Sequence, residues 1–247
     1  VNYRRFFKSI YEPNYVVYDY IVHLGMYSSS PMYKEDPGLF DKVLNEYHAL
    51  LSRAYYDKIP LIVTLTSSMY HPRKVPWSDR DLRMDPQDLY SLSRYFIMKL
   101  TEVYHRLYRV KAVCLILFSV YGPHEEYKGS YANCLTQMIW KKLLDEEFTI
   151  YGDGSQTRDF IYVDDVVECY MRSIERVKEI GFDVINVGTG KEYSFNEIAK
   201  KIGVKVRYTY KFPENYIYRT RAIITKMKEV LGYYPRVNIN EGIDICY

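Results

Sequence analysis

Tyr151-Gly-Asp-Gly-Ser-Gln-Thr-Arg-Asp-Phe-Ile-Tyr-Val-Asp-Asp165 is the stretch on which the fold of this chain turns. Gly152, Asp153 and Gly154 open it as a turn, because glycine reaches backbone angles closed to most residues. Arg158 then stands beside Asp159, and Phe160-Ile161-Tyr162-Val163 has the look of a short strand. Asp164 and Asp165 fall where a helix should start, with a carboxylate able to accept from its unpaired first N–H groups. Two readings of Arg158 follow. One is an exposed arginine on a hairpin turn. The other is an anion site, since an arginine held by a rigid turn suits bidentate capture of a phosphate or carboxylate.

Upstream, Asp19 to Leu24 and Ile59 to Leu65 read as buried strands, and Ala112 to Phe118 as a third. Their near-continuous apolar runs are those of strands covered on both faces. The spacing of Leu39, Phe40, Val43, Leu44, Tyr47, Leu50, Leu51 and Ala54 predicts a helix over Pro37 to Tyr56. Further helices are expected over Asp88 to Val110 and Tyr131 to Leu144. Phe148 to Tyr151 is a strand leading into the opening stretch, and a helix from Asp164 to about Val177 follows it. Asp183 to Val187 is the next strand, ending at Gly188-Thr189-Gly190. Ser194-Phe195-Asn196-Glu197 is a capping box ahead of a helix. A strand over Val204 to Tyr210 and a last helix near Thr225 to Leu231, stopped by Gly232, close the chain. Strand and helix alternate, which predicts an α/β fold around a parallel sheet.

Composition narrows the function classes. The chain has 247 residues, 48% of them hydrophobic, enough for a sizeable core. Its formal net charge of +3, with Lys and Arg scattered, gives no argument for nucleic acid. No apolar run is long enough to cross a bilayer and no leader is read at the start, so a soluble, cytoplasmic protein is expected. Cys114, Cys134, Cys169 and Cys246 are not at metal-ligand spacing and are read as reduced thiols, with no metal site.

The opening stretch resembles the YGDGxQxRDFIYVDD signature of nucleotide-sugar epimerases and dehydratases, in the extended short-chain dehydrogenase/reductase superfamily. The resemblance runs from Asp19 to Pro235 and includes Tyr121-Gly122-Pro123 and Asn186-Val-Gly-Thr-Gly190. It implies a Rossmann-type parallel sheet over 1–122 and 160–190. It also implies a small discontinuous substrate-binding lobe over 123–159 and 191–247. It implies a UDP-glucose 4-epimerase-like reaction on a UDP- or dTDP-linked sugar through transient NAD-dependent oxidation, in a homodimer. Arg158 would clamp the diphosphate. Ser119, Asn133, Tyr151 and Arg221 would be the other substrate-side residues, with Arg219 beside the last. His23 and Gly25 map to cofactor-side positions, although His23 reads equally as a core histidine.

By the same resemblance Tyr90 is the general acid/base, Thr66 its hydrogen-bond partner, and Arg94 stands where relatives carry lysine four residues on. A free phenol has a pKa near ~10 and needs a neighbouring cation to work at neutral pH. Arg94 keeps the charge one helical turn from Tyr90, but a planar guanidinium does not reproduce the compact donor that holds a cofactor ribose. Ile116 and Ser119 replace a family arginine and asparagine. A dinucleotide fold also needs a glycine-rich turn after its first strand, and the first glycine here is Gly25. The expectation is a truncated Rossmann half: a fragment, a chain completed by another polypeptide, or a relative that no longer uses NAD. The alternative to an enzyme is a non-catalytic nucleotide-sugar-binding protein or partner subunit.

Overall fold

A computed structural model describes residues 18–247; the aperiodic opening read for Val1 to Val17 lies outside them. In chain order the strands are β1 (Ile21–His23), β2 (Leu61–Thr66), β3 (Ala112–Leu117), β4 (Ser119–Tyr121), β5 (Glu147–Tyr151), β6 (Thr157–Arg158), β7 (Phe160–Tyr162), β8 (Phe182–Val187), β9 (Tyr193–Ser194) and β10 (Lys205–Thr209). The α-helices are α1 (Ser30–Glu35), α2 (Leu39–Asp57), α3 (Leu89–Tyr108), α4 (Cys134–Leu143), α5 (Val163–Ile180), α6 (Phe195–Ile202) and α7 (Ile239–Ile245).

The apolar strands form one parallel sheet in the order β1, β2, β3, β8. Ile21 lies opposite Leu61, Leu61 opposite Ala112, and Ala112 opposite Phe182. Helices cover both faces. Thr64 Oγ1 meets Tyr170 Oη of α5 at 2.6 Å. Cys114, the register partner of Val63, meets Thr101 of α3 on the other face. Leu61, Ile62, Val63, Val113, Leu115 and Ile116 are almost wholly buried. Each such side chain stabilises the fold by about 1.5–3 kcal/mol.

A second core gathers Leu135, Met138 and Ile139 of α4 with Phe195, Ile198 and Ile202 of α6 and Ile239 and Ile243 of α7. Tyr121, Phe160 and Tyr162 belong to this core, whereas Ala222, Ile224, Met227 and Leu231 pack into the first. Parallel pairing of β10 with β5 flanks the second core.

Several elements differ from their sequence reading. The helix expected from Tyr131 starts at Cys134, because the Asn133 side chain accepts from Leu135 N (3.0 Å) and caps it. The helix expected from Asp164 starts at Val163 without a side-chain cap. Ser30 begins α1, an element not expected from the sequence, with Pro31 in its first turn. Residues Met227–Leu231 are π-helical before left-handed Gly232. Beyond them α7, not expected from the sequence, is capped by Asn238, which accepts from Asn240 and Glu241 N–H groups.

Candidate functional site

The carboxyl ends of β2, β3 and β4 point toward the connections that build the site, the usual position for a ligand in an open parallel sheet. A cleft of about 760 Å³ is bordered by Ser119, just past the carboxyl end of β3, and otherwise mainly by residues around α4, β5, β6 and β10. Ser119, Asn133, Tyr151 and Arg158 all line it, so four of the five expected substrate-side residues share one cavity. Arg221 does not line it.

Arg158 is placed by its neighbours. Thr157 and Arg158 pair antiparallel with Tyr193 and Ser194. Next to it, Asp159 is fully buried and accepts from Thr189 N (2.8 Å), Thr189 Oγ1 (2.6 Å), Gly190 N (2.9 Å) and Ala222 N (3.0 Å). That one carboxylate knits the Gly188-Thr189-Gly190 loop to the arginine strand. Burial pushes its pKa up against those hydrogen bonds, which pull it down. The Arg158 guanidinium donates to the carbonyls of Thr157 (2.8 Å) and Tyr218 (3.4 Å). It lies 5.4 Å from the Phe195 ring and 5.8 Å from that of Tyr216. Among the described residues no carboxylate pairs with it. Burial lowers its pKa, the signature of a cation held partly out of water. It is a fixed cation open to an incoming anion.

Arg219 differs. It forms an ion pair with Glu192, which also accepts from Thr157 Oγ1 at 2.8 Å. Glu192 thus commits the Arg219 charge. Arg221 contributes its backbone, accepting from Trp77 N at 2.8 Å.

Asn133 has a structural duty besides lining the cleft: its Nδ2 donates to Val120 O (2.8 Å) while its Oδ1 caps α4. Cys134, also on the cleft wall, has its thiol pushed up to about 11 by burial, against the lowering effect of nearby Arg158. Tyr151, Phe212, Tyr216 and Tyr218 form a chain of ring contacts above Arg158. Arg207 of β10 lines the same cleft and donates to Thr149 Oγ1 at 3.2 Å. Tyr216 and Arg207 were not singled out from the sequence. Their places depend on pairings some 60 residues long, such as Gln156 Nε2 to Tyr216 Oη at 3.0 Å.

The expected catalytic residues Thr66, Tyr90 and Arg94 sit on β2 and α3 and do not line this cleft. Thr66 ends β2, and its Oγ1 donates to Ser68 Oγ (3.3 Å). Tyr90 is in the first turn of α3, whose cap Asp88 accepts from Ser91 N (2.7 Å) and from Ser30 Oγ of α1 (2.6 Å). No hydrogen bond joins Thr66 to Tyr90 among the described residues. Arg94 is buried with its guanidinium 5.0 Å from the Tyr90 ring. Its donors go to Tyr33 Oη (3.2 Å), Ser93 Oγ (3.1 Å) and the Tyr27 carbonyl. Gly25 borders a hollow of about 450 Å³ together with Tyr27, Lys42 and Glu46. His23 ends β1 against the Tyr47 ring at 5.0 Å, its Nδ1 buried without a partner. Burial, and then the Arg94 charge, lower its pKa to about 4, so the ring is neutral.

A parallel sheet covered by helices on both faces, with an arginine-bearing cleft beside it, defines a Rossmann-type α/β fold. The NAD dependent epimerase/dehydratase family profile matches residues 13–188, and the chain belongs to that family. An uncharacterised protein of Methanocaldococcus jannaschii is 30% identical over 91% of the chain and 70% of its own length. A UDP-glucuronate 4-epimerase of Thermodesulfobacterium geofontis is 32% identical over 74% of the chain and 56% of its own length. The fold matches that of a UDP-glucose 4-epimerase from Thermotoga maritima solved with UDP-glucose, at a TM-score of 0.84 and 24% identity, over 92% of this chain and 75% of that one. The chain thus spans little more than half the length of the named curated relative. Among the described helices none is long and apolar enough to cross a membrane, and no side-chain group suited to a metal ion is found among the described residues.

The family name implies NAD. Arg94 directs three hydrogen bonds to Tyr33, Ser93 and the Tyr27 carbonyl, and toward that group its planar guanidinium is not the compact donor that suits a ribose. It supplies positive charge beside Tyr90 instead.

Proposed function

We propose that the chain is the substrate-binding and proton-transfer part of a nucleotide-sugar epimerase or dehydratase. The observation that carries this reading is the convergence of Ser119, Asn133, Tyr151 and unpaired Arg158 on one cleft of about 760 Å³. That volume suits a nucleotide sugar. Arg158 binds the diphosphate through a charge-assisted fork, and its aromatic surroundings keep the pair partly out of water, where the attraction is stronger. Ser119 hydrogen-bonds the sugar, and Tyr151 and Asn133 flank the nucleoside. Tyr90 is the acid/base at a sugar hydroxyl, with Thr66 sharing the hydrogen bond and Arg94 stabilising the phenolate. Bound NAD would supply the hydride acceptor. The homodimer implied by the family would bury the outer sides of α2 and α3, where Phe40 and Phe96 meet edge-on at 6.1 Å and Phe96 is 48% exposed.

Isothermal titration with UDP- and dTDP-sugars tests the binding step, and NMR of UDP-glucose with added NAD tests turnover. Binding that survives Arg158→Ala unchanged refutes the diphosphate assignment. Failure of NAD and NADP to bind at millimolar concentration refutes catalysis by this chain.

A further inference from the structure

At the opposite end of the sheet a second cleft, of about 390 Å³, lies among the starts of β2 and β3 and the ends of α2, α3 and α5. The six residues of β2 separate it from Thr66 by about 20 Å. Its floor is apolar, from Ala54, Ile59, Pro60 and Val110. Lys58, Arg109, Lys111 and Lys178 surround that floor, and no carboxylate lines it. None of the four has an ion-pair partner among the described residues; Lys111 Nζ donates to the Lys178 carbonyl (2.6 Å), Lys178 Nζ lies 5.0 Å from the Tyr20 ring, and the neighbouring Asp57 is bridged to Arg53. Tyr55 and Tyr108 stand at the rim with ring centroids 4.9 Å apart, 40% and 47% exposed.

Backbone geometry adds a second observation. Lys58 and Arg109 cap α2 and α3 in left-handed conformation, at φ 56° and 59°. Glycine is the favoured residue there. This chain uses it at Gly203 after α6 (φ 72°) and at Gly232 (φ 64°), while α4 is followed by left-handed Asp145 (φ 52°). At these two caps, 51 residues apart in sequence, long cations are kept instead, and both face the same cleft. Complementing the helix dipole would favour a cation in the last turn of each helix. It does not require the strained position, nor Lys111 at the start of a strand.

We infer that this cleft is a second ligand site, for a phosphate monoester joined through a sugar to a flat base, that is, a nucleoside monophosphate. Lys58, Arg109 and Lys111 neutralise the phosphate. The Tyr55–Tyr108 pair offers the ring a stacking surface, and the apolar floor accepts what remains. The site does not depend on the function proposed for the first cleft.

Full-length protein carrying Arg158→Ala, which disables the first cleft, is titrated with AMP, adenosine and inorganic phosphate. Lysine acylation followed by mass spectrometry locates the contact. AMP is expected to bind at least tenfold more tightly than adenosine or phosphate and to protect Lys58, Lys111 and Lys178 at least threefold, with Lys141 and Lys191 unaffected. Adding Lys58→Gly and Arg109→Gly removes both charges while leaving residues suited to the left-handed caps. That variant should keep or raise its melting temperature and lose AMP affinity tenfold or more. No AMP binding, unchanged binding in the glycine variant, protection elsewhere, or phosphate binding as tightly as AMP each overturns the assignment.

Discussion

The Arg94 guanidinium lies 5.0 Å from the Tyr90 ring, one helical turn further along α3. Positive charge thus stands beside the phenol, as a guanidinium where the resemblance implies a lysine. Arg94→Ala removes that charge and leaves the buried Tyr33 and Ser93 hydroxyls and the Tyr27 carbonyl with one partner fewer. It should cost about 2–3 kcal/mol of stability in urea unfolding. Tyr90→Phe should leave the unfolding midpoint almost unchanged while lowering turnover at least ~100-fold. Turnover retained in Tyr90→Phe would remove Tyr90 from the chemistry.

Arg158 has no carboxylate to lose, so its replacement reads ligand binding cleanly. Arg158→Ala should weaken a UDP-sugar by about 1.5–3 kcal/mol, roughly tenfold to a hundredfold, by calorimetry. Arg158→Lys should recover only part of this, because a point charge lacks the planar fork. Arg219→Ala, which breaks a pair with Glu192 at an exposed site, should change affinity little.

Much of this was legible in the sequence, for physical reasons. The strands of the sheet announce themselves because burial on both faces demands unbroken apolar runs, as in Leu61–Thr66. The turn at Gly152 and Gly154 was readable because both take positive φ. Asp159 was not: four donors converge on it from residues 30 to 63 positions away, and no local pattern encodes that. Asn133 was read as a ligand contact, yet its amide also caps α4, a duty visible only once the helix start is known. The Arg219–Glu192 pair escaped for the same reason as Asp159.

His23 sets a pH dependence. Its folded pKa is lowered to about 4 by burial and the Arg94 charge, from 6.5. Below pH 6.5 the unfolded chain takes up a proton that the folded chain refuses. The stabilisation is therefore complete above 6.5 and is lost as pH falls toward 4. The full span is worth about 3 kcal/mol. Urea unfolding between pH 7 and pH 5 should show His23→Phe losing less stability than the parent; parallel curves would assign the acid sensitivity elsewhere.

Adjacent carboxylates Asp164 and Asp165 have opposite fates. Asp164 is exposed in the first turn of α5. Asp165 is 1% exposed and accepts from Tyr233 Oη (2.6 Å), Arg236 N (2.8 Å) and Val237 N (3.2 Å). It pins the segment that leads into α7 rather than capping its own helix. Asp165→Asn keeps the shape but turns an N–H donor toward donors, so it should cost about 3 kcal/mol, comparable to breaking a buried charged network. Asp164→Asn should cost no more than about 0.5 kcal/mol, the usual size of a helix-dipole contact at the surface. Hydrogen exchange would localise the first loss to residues 233–245, since α7 is held to α5 through this carboxylate. Equal costs for the two substitutions would mean that Asp165 stabilises the helix end and not the C-terminal segment.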